Sequence, residues 1–332
     1  MPAISVIIPV HDLGPYLAET VQSVLDQTCQ DFEVLILDDG STDPETCALL
    51  ESFERPKTTV FREPNRGLGP ARNFLLAKAR GRAICALDAD DLLHPEYLER
   101  TLAALDANLE LAFVSTWLET FGIEERVYRP SSCDLETLLA ECQIHCSSLV
   151  RREVLEALGG YDEGMPHMGD EDWDLWIRVL RAGYRGQILP EVLFRYRRRG
   201  VDSMGVLCTQ GQVRRELWRY KLAKHEEVYR EHALSVLKRR DLELGQLLQE
   251  NDALEARWAG ELQPRLRARR QELERLRARA AEADPLAQTR AELAAARARI
   301  AALEGSLSWR AAAPLRLGYD LLAALRGKRD AP

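Results

Sequence analysis

The sequence predicts an α/β fold, a mostly parallel sheet wrapped by helices, followed by a helical extension. Three observations predict it. Apolar, β-branched runs alternate with helical spacing over the first 80 or so residues. Clusters of acidic residues stand just after two of those runs. Beyond about residue 212 the composition turns to Leu, Ala, Arg, Glu and Gln with almost no aromatics, which is a long-helix composition.

Taken in order, Ile4–Val10 is an uninterrupted apolar run, as expected of a strand buried on both faces. Tyr16 to Leu25 carries Leu17, Val21, Val24 and Leu25 at helical spacing. Phe32–Leu37 reads as a second strand and ends in the acidic turn Asp38-Asp39-Gly40-Ser41-Thr42-Asp43, whose Ser, Thr or Asp can cap the next helix. Thr58–Phe61 predicts a third strand, Gly69–Ala79 a helix, and Arg82–Leu87 a fourth strand. Such alternation implies right-handed βαβ units, whose ligands bind beyond the carboxyl ends of the strands. Further on, a helix is expected near Glu96–Leu105 and a strand near Leu111–Thr116. Another helix runs from about Asp172 to Ala182 and stops at Gly183. Gly186–Arg197 reads as one or two short strands.

The spacing divides the chain into residues 1–211, a helical region 212–305 and a terminal segment 306–332. Leu266, Leu273, Leu276, Ala280 and Ala283 fit a heptad seam, as do Leu293, Ala296, Ile300, Leu303 and Leu307, so the region permits a coiled-coil homodimer. Pro264 and Pro285 should interrupt it. The last segment sets Leu315, Leu317, Leu321, Leu322 and Leu325 against Arg316, Arg326, Lys328 and Arg329. A helix of that kind can lie on an anionic membrane surface or dock on protein.

Composition excludes several classes. With 46% hydrophobic and 30% charged residues the chain is globular, and its net charge of −8 argues against nucleic acid as a partner. Seven cysteines without a Cys-x-x-Cys pair point to a reducing compartment. Cys142, His145 and Cys146 lack the second half of a zinc site. The start, MPAISVIIPV, reads as neither a signal peptide nor a membrane span.

Two acidic triplets suggest chemistry. Asp88, Asp90 and Asp91 follow the fourth strand, and so many carboxylates in four residues repel one another unless a cation sits among them. A hard divalent ion, Mg2+ or Mn2+, with a diphosphate as co-ligand would satisfy them. Asp38 and Asp39 end a different strand of the same expected sheet, where a carboxylate can accept from the imide N–H of uracil or thymine. Arg66 and Arg72 flank Gly67-Leu68-Gly69-Pro70, and an arginine there can face a base or a phosphate. The second triplet, Asp170-Glu171-Asp172, opens a helix, where acids are electrostatically favoured. One of its carboxylates facing a cleft could serve as a general base.

Four segments, ISVIIPVHDLGPYLAETVQSVLDQTCQDFEVLILDDGSTD, NRGLGPARNFLLAKARGRAICALDADD, GDEDWDLWIRVLRAGYR and LFRYRRRGVDSM, together resemble the family 2 glycosyltransferases, whose catalytic domain has the GT-A fold. The resemblance covers about residues 3 to 205. It implies that Pro9 and Val10 line a nucleobase pocket, that Asp39 reads the base beside Asp38, and that Arg72 closes that side. It implies Asp88 and Asp90 as the Asp-x-Asp element for ribose and metal, with Asp91 a further metal ligand. Asp172, second in the Glu171-Asp172 pair, matches the general base of an inverting transferase that uses a nucleotide-sugar donor. His11-Asp12 stands where the family usually has Tyr-Asn, and Arg197, Arg198 and Arg199 stand where many relatives place a histidine. The tail SLSWRAAAPLR resembles a segment at the end of some bacterial surface-polysaccharide glycosyltransferases. That likeness implies a cytoplasmic enzyme, peripheral on the inner face of the cytoplasmic membrane, with a glycan or lipid-linked acceptor.

Two other readings compete. One is a non-catalytic sugar-nucleotide-binding tether that acts through the coiled coil. The other is a dinucleotide-dependent dehydrogenase, against which stands the lack of Gly-x-Gly-x-x-Gly after the first strand.

Overall fold

A computed structural model describes residues 1–200, 211–282 and 286–304. The chain forms two compact units, Met1–Arg239 and Arg240–Pro332. The first begins with β1 (Ile4–Val10), α1 (Gly14–Leu25), β2 (Phe32–Asp39), α2 (Pro44–Glu51), β3 (Thr58–Glu63), α3 (Leu68–Lys78) and β4 (Ala83–Ala86). Each expected element of this stretch forms, with ends that move by a residue or two. Strand β2 extends through the acidic pair to Asp39.

Then follow β5 (Leu92–Leu93), α4 (Tyr97–Ala107), β6 (Leu111–Gly122), β7 (Arg126–Tyr128), α5 (Leu135–Ala140), β8 (Leu149–Arg151), α6 (Arg152–Ala157), α7 (Glu171–Arg181) and β9 (Arg185–Arg198). The strands order as β3-β2-β1-β4-β8-β6-β9-β5, with β7 beside β6. Strands β3, β2, β1 and β4 are parallel. The other half is mixed, because β8 enters antiparallel between β4 and β6, and β5 and β7 add antiparallel edges. Alternation in the first 80 residues could not announce those strands, which are only two or three residues long.

One expectation is corrected. Gly186–Arg197, expected as one or two short strands, is part of a single long strand of 14 residues, β9. It runs parallel to a β6 that is itself longer than expected, and absorbs the mismatch as register shifts near Thr116–Leu118.

Helices cover both faces of the sheet. On one face Leu17, Val21 and Val24 of α1 and Leu98 and Leu105 of α4 pack on Ile4, Val6 and Ile8. On the other, Ala71 and Leu75 of α3 and Trp176, Ile177 and Val179 of α7 pack on Ile7, Leu35 and Ile84. Alternate residues of β1 thus face opposite layers, the period-2 rule at work in a strand buried on both sides. Helix α7 ends as expected: Gly183 takes φ +85°, and Gly183 N–H and Tyr184 N–H close on the carbonyls of Leu180 and Val179.

Two further helices belong to this unit, α8 (Gly211–Lys224) and α9 (Glu226–Glu231). Leu217, Val228 and Tyr229 are buried. Helix α10 (Ala233–Arg257) continues into the second unit, which holds a π-helical turn at Trp258–Leu262, α11 (Gln263–Glu282) and α12 (Leu286–Glu304). The expected break at Pro264 takes this form: the backbone widens just before the proline, which then sits in the first turn of α11 where its missing N–H is harmless. Helices α11 and α12 lie against each other, and the heptad residues Leu266, Leu273, Leu276, Leu293, Ala296 and Ile300 are half-buried there. Pro285, Ala283, Leu307 and the basic segment 306–332 lie outside the described residues. No described helix is long and apolar enough to cross a membrane.

Candidate active site

The carboxyl ends of β1, β2 and β4 meet at one edge. Pro9 and Val10 are buried there, and Val10 pairs in register with Asp38 of β2. The turn after β2 is held by Asp12, whose Oδ1 accepts from the backbone N–H groups of Thr42 and Asp43 at 2.7 and 2.8 Å. Those hydrogen bonds, Asp43's first, keep the Asp12 carboxyl below its ordinary range. Asp43 in turn caps α2 through Thr46 N–H at 2.8 Å, as the turn's sequence suggested. The His11-Asp12 pair therefore has structural work: His11 Nδ1 lies 3.0 Å from the Asp39 carbonyl, and Asp12 locks the loop that carries Asp38 and Asp39.

Asp39 is buried, and its two oxygens accept from the backbone N–H groups of Arg66 and Gly67 at 2.9 and 3.0 Å. Gly67 makes this possible at φ +89° as the N-cap of α3. Gly69 lies so close to the Asp162 carbonyl oxygen that an added Cβ would meet it at 2.5 Å. Asp38 accepts from Ser41 N–H at 2.9 Å and lies 3.9 Å from Arg62. These two acids are thus held by their own neighbours on the sheet edge.

The first triplet is more tightly tied to distant residues. The Thr20 hydroxyl of α1 donates to the Ala89 carbonyl at 2.9 Å, fixing the loop after β4. Asp88 pairs with Arg72 at 2.7 Å, and Arg72 is 2% exposed. Asp90 pairs with Arg199 at 2.6 Å. Asp91 is fully buried and accepts from Arg197 N–H at 2.8 Å, while its Oδ2 has no hydrogen-bond partner among the described residues. The Arg197 side chain donates to the Asp90 carbonyl at 2.7 Å and lies over Phe121, 4.3 Å from the ring centre. Burial, then the neighbouring acids, push the carboxyls of Asp90 and Asp91 up, Asp91 well above its ordinary range. Three carboxyls thus meet the side chains of Arg72, Arg199 and Arg197, and one buried oxygen of Asp91 is left without a hydrogen bond among the described residues. Carboxylate oxygens are the donor chemistry that a hard cation takes, but no group of three or more His, Cys, Asp or Glu side chains among the described residues is placed to hold a metal ion.

The second triplet joins the first through Arg72. Glu171 is buried and accepts from Gly169 N–H at 2.8 Å. Burial raises its carboxyl to about 7, against the pull of Arg72. Asp172 is partly exposed, and its Oδ1 accepts from Trp173 N–H at 2.8 Å. Desolvation lifts it to about 6; Arg72 opposes that, while Asp170 and Asp88 add to it. One buried guanidinium thus pairs with Asp88 and acts electrostatically on Glu171 and Asp172.

Several participants gave no sequence signal. Cys146 lies 3.7 Å from Asp88 Oδ2, and Tyr161 stacks under Arg72 at 5.3 Å. His145 stacks on Phe194 at 4.5 Å, and burial lowers its imidazole to about 3, so it is a packed neutral ring. The Cys142 thiol points to the Ile144 carbonyl. All six described cysteines are free. Asp170 pairs with Lys221 and Arg214 of α8, beyond the boundary that composition suggested. Only spacing could have placed α8 near the triplet, and no spacing rule reaches across 51 residues.

Residues 5–159 match the family model Glycosyl transferase family 2. An uncharacterized glycosyltransferase of Methanocaldococcus jannaschii is 27% identical over 210 residues, which is 59% of this chain and 71% of that protein. Chondroitin synthase of Escherichia coli is 38% identical over 188 residues, 55% of this chain but only 27% of its own length. The crystal structure of S. aureus TarS 1-349 in complex with UDP-GlcNAc is 21% identical and superposes with a TM-score of 0.51, covering 63% of this chain and 61% of that one. The chain spans about three fifths of that structure, and the likeness is one of fold. The first unit thus has the expected GT-A-type α/β fold, and residues 5–159 within it carry the match to Glycosyl transferase family 2.

Proposed function

We propose that the chain is an inverting, metal-dependent glycosyltransferase that moves a sugar from a UDP- or dTDP-sugar to a hydroxyl of a glycan or lipid-linked acceptor in cell-envelope polysaccharide synthesis. The observation that carries this reading is the union of the two acidic triplets around Arg72. A turn that merely caps a helix has no need of a buried arginine shared with a second acidic cluster. The chondroitin synthase likeness and the UDP-GlcNAc complex of TarS support a nucleotide-sugar donor and a polysaccharide setting.

In this reading Pro9, Val10, Asp38 and Asp39 wall the nucleobase. Asp39 keeps lone pairs beyond those used by the Arg66 and Gly67 amides. Asp88 and Arg72 border the ribose and diphosphate. Asp90 and Asp91 would hold Mg2+ or Mn2+, which offsets charge on the leaving diphosphate. Asp172 is the general base and Glu171 its buried neighbour, since of the two only Asp172 is partly exposed. The acceptor oxygen attacks the anomeric carbon and its proton passes to Asp172. The bond from that carbon to the β-phosphate oxygen breaks, and nucleoside diphosphate departs. A raised carboxyl that is still ionised near neutrality suits that proton transfer.

The test is release of nucleoside diphosphate with Mn2+ from UDP-, dTDP- and GDP-sugars, with Asp172→Asn as the control. Turnover lost in that variant while donor binding persists is the expected result. Binding without turnover in the wild-type chain would favour the tether reading instead.

A further inference from the structure

Helix α7 starts from an unusual turn. Asp170, its N-cap, sits at φ +64° and ψ +9°, a left-handed conformation rare outside glycine, directly after Gly169 at φ +107°. Its side chain does not cap the helix. Instead its Oδ2 is 2.6 Å from Lys221 Nζ and 3.4 Å from Arg214. Lys221 is fully buried, with its ammonium 3.2 Å from the centre of the Trp173 ring and 4.7 Å from that of Trp218. A buried ammonium is costly unless an anion and aromatic faces receive it, and here both do.

Lys221 belongs to α8, and α8 and the residue after it make other ties around the turn. Lys224 pairs with Asp162 at 2.6 Å and with Asp174 at 2.8 Å. His225 lies 2.8 Å from Asp174, and Tyr220 donates to Asp162 at 2.8 Å. Helix α8 therefore clamps the segment that presents Glu171 and Asp172, although it falls outside the matched residues 5–159.

We propose that Lys221 is a positioning residue for the reaction: by neutralising Asp170 and holding the left-handed turn, it sets both the place and the basicity of Asp172. The inference rests on Asp172 being the general base. Asp170 lies two residues from Asp172 and its charge disfavours ionisation there, so the Lys221 ammonium shields the base from its own neighbour. The groups that bear on Asp172 are Arg72 from α3, Asp88 from the loop after β4, Asp170 and Glu171 beside it, and Cys142, Cys146 and Tyr161 from the segments packed against it. Those that bear on Lys221 are Asp170, Arg214 and Cys142.

The experiment compares Lys221→Met, Asp170→Asn and the double variant in the full chain, by nucleoside diphosphate release across pH, with thermal unfolding as the check on folding. Lys221→Met should lower kcat at least about tenfold with donor KM unchanged, because misplacing a base weakens the chemical step alone. It should also move the acid limb of kcat/KM to higher pH. Asp170→Asn should move that limb to lower pH, and in the double variant it should return toward its wild-type place. A merely structural lysine would change stability without moving the limb in opposite directions. A folded Lys221→Met with the wild-type kcat and limb overturns the proposal. Where Lys221→Met does not fold, an unmoved limb in Asp170→Asn overturns it equally. Asp172→Asn, run alongside, separates the cases: full activity there overturns the choice of base, and loss there with unaltered Lys221 and Asp170 variants overturns only the role of Lys221.

Discussion

Two of the molecule's acidic sites are built by opposite means. Asp38 and Asp39 at the end of β2 are held mainly by backbone amides of nearby turns, at Ser41, Arg66 and Gly67. Asp170, Glu171, Asp172 and Asp174 at the start of α7 are held in large part by charged side chains of other helices: Lys221, Lys224 and His225 from the α8–α9 region and Arg72 from α3. Amide ligands fix position without changing net charge. Side-chain cations also set proton affinity. The first region is thus a rigid receptor edge, and the second a place where affinity for protons is tuned.

The sharpest way to break that contrast is Asp172→Asn. If proton affinity is what the α7 region supplies, kcat should fall by about 10^3 to 10^4 with donor affinity nearly intact, read by steady-state kinetics and calorimetry. The wild-type acid limb of kcat/KM should then lie near pH 6, since Asp172 must be ionised to take the proton and its carboxyl is raised to about 6. A limb near 7 would assign the base to Glu171 instead.

Next in size is Asp174→Ala. Asp174 is fully buried among Arg178, Lys224 and His225, which hold its carboxyl far below the usual range against the cost of burial. Removing it takes the carboxylate partner from Arg178 and from the buried His225 ring, while Lys224 keeps Asp162, at a cost of about 3–5 kcal/mol in chemical denaturation. Because this carboxyl is depressed, its stabilising contribution is present at neutral pH and fades as pH falls through its low folded value. Wild-type and variant should therefore converge in acid.

Arg72→Lys follows, because Arg72 joins Asp88 to the acids at the start of α7. A lysine cannot keep the planar contact with Asp88 and the stack on Tyr161, so donor KM should rise and kcat fall, each by about tenfold. A change confined to KM would show that Arg72 belongs to the donor side alone.

The smallest effect is expected from Asp91→Asn. The Asp91 carboxyl is raised by burial and by Asp90 and Asp88, so the folded state holds its proton more tightly than the unfolded chain does. Stability is then lost as pH rises above the unfolded value of about 3.9. At pH 8 without divalent cations the asparagine variant should melt a few degrees higher, about 2–4 °C, and the gain should vanish near pH 4. Added Mn2+ should raise the wild-type melting temperature and leave the variant's nearly unchanged.

How far these features could be read in advance differs between the same two regions. The parallel strands β1 to β4, and the acids at their ends, follow from local pattern: apolar runs, a capping turn and carboxyl-end placement. The helix start also marked the triplet Asp170-Glu171-Asp172, within which the family resemblance singled out Asp172. The sequence could not show that Asp88 and Asp172 share the influence of one guanidinium, because that depends on tertiary packing that brings α3, the loop after β4 and α7 together. It could not show that Lys221 is buried, because in sequence it is one basic residue among several in α8. The short antiparallel strands β5, β7 and β8 are likewise set by tertiary pairing, with too few residues to carry a period.

The shared guanidinium has a further consequence for anyone recombining such proteins. A graft that imports the loop and helix of residues 161–182 from another chain would bring its acids into a charge environment fixed at position 72, ninety or more residues upstream. The workable seam for a chimera therefore has to carry α3, α7 and α8 together, however well the loop alone aligns.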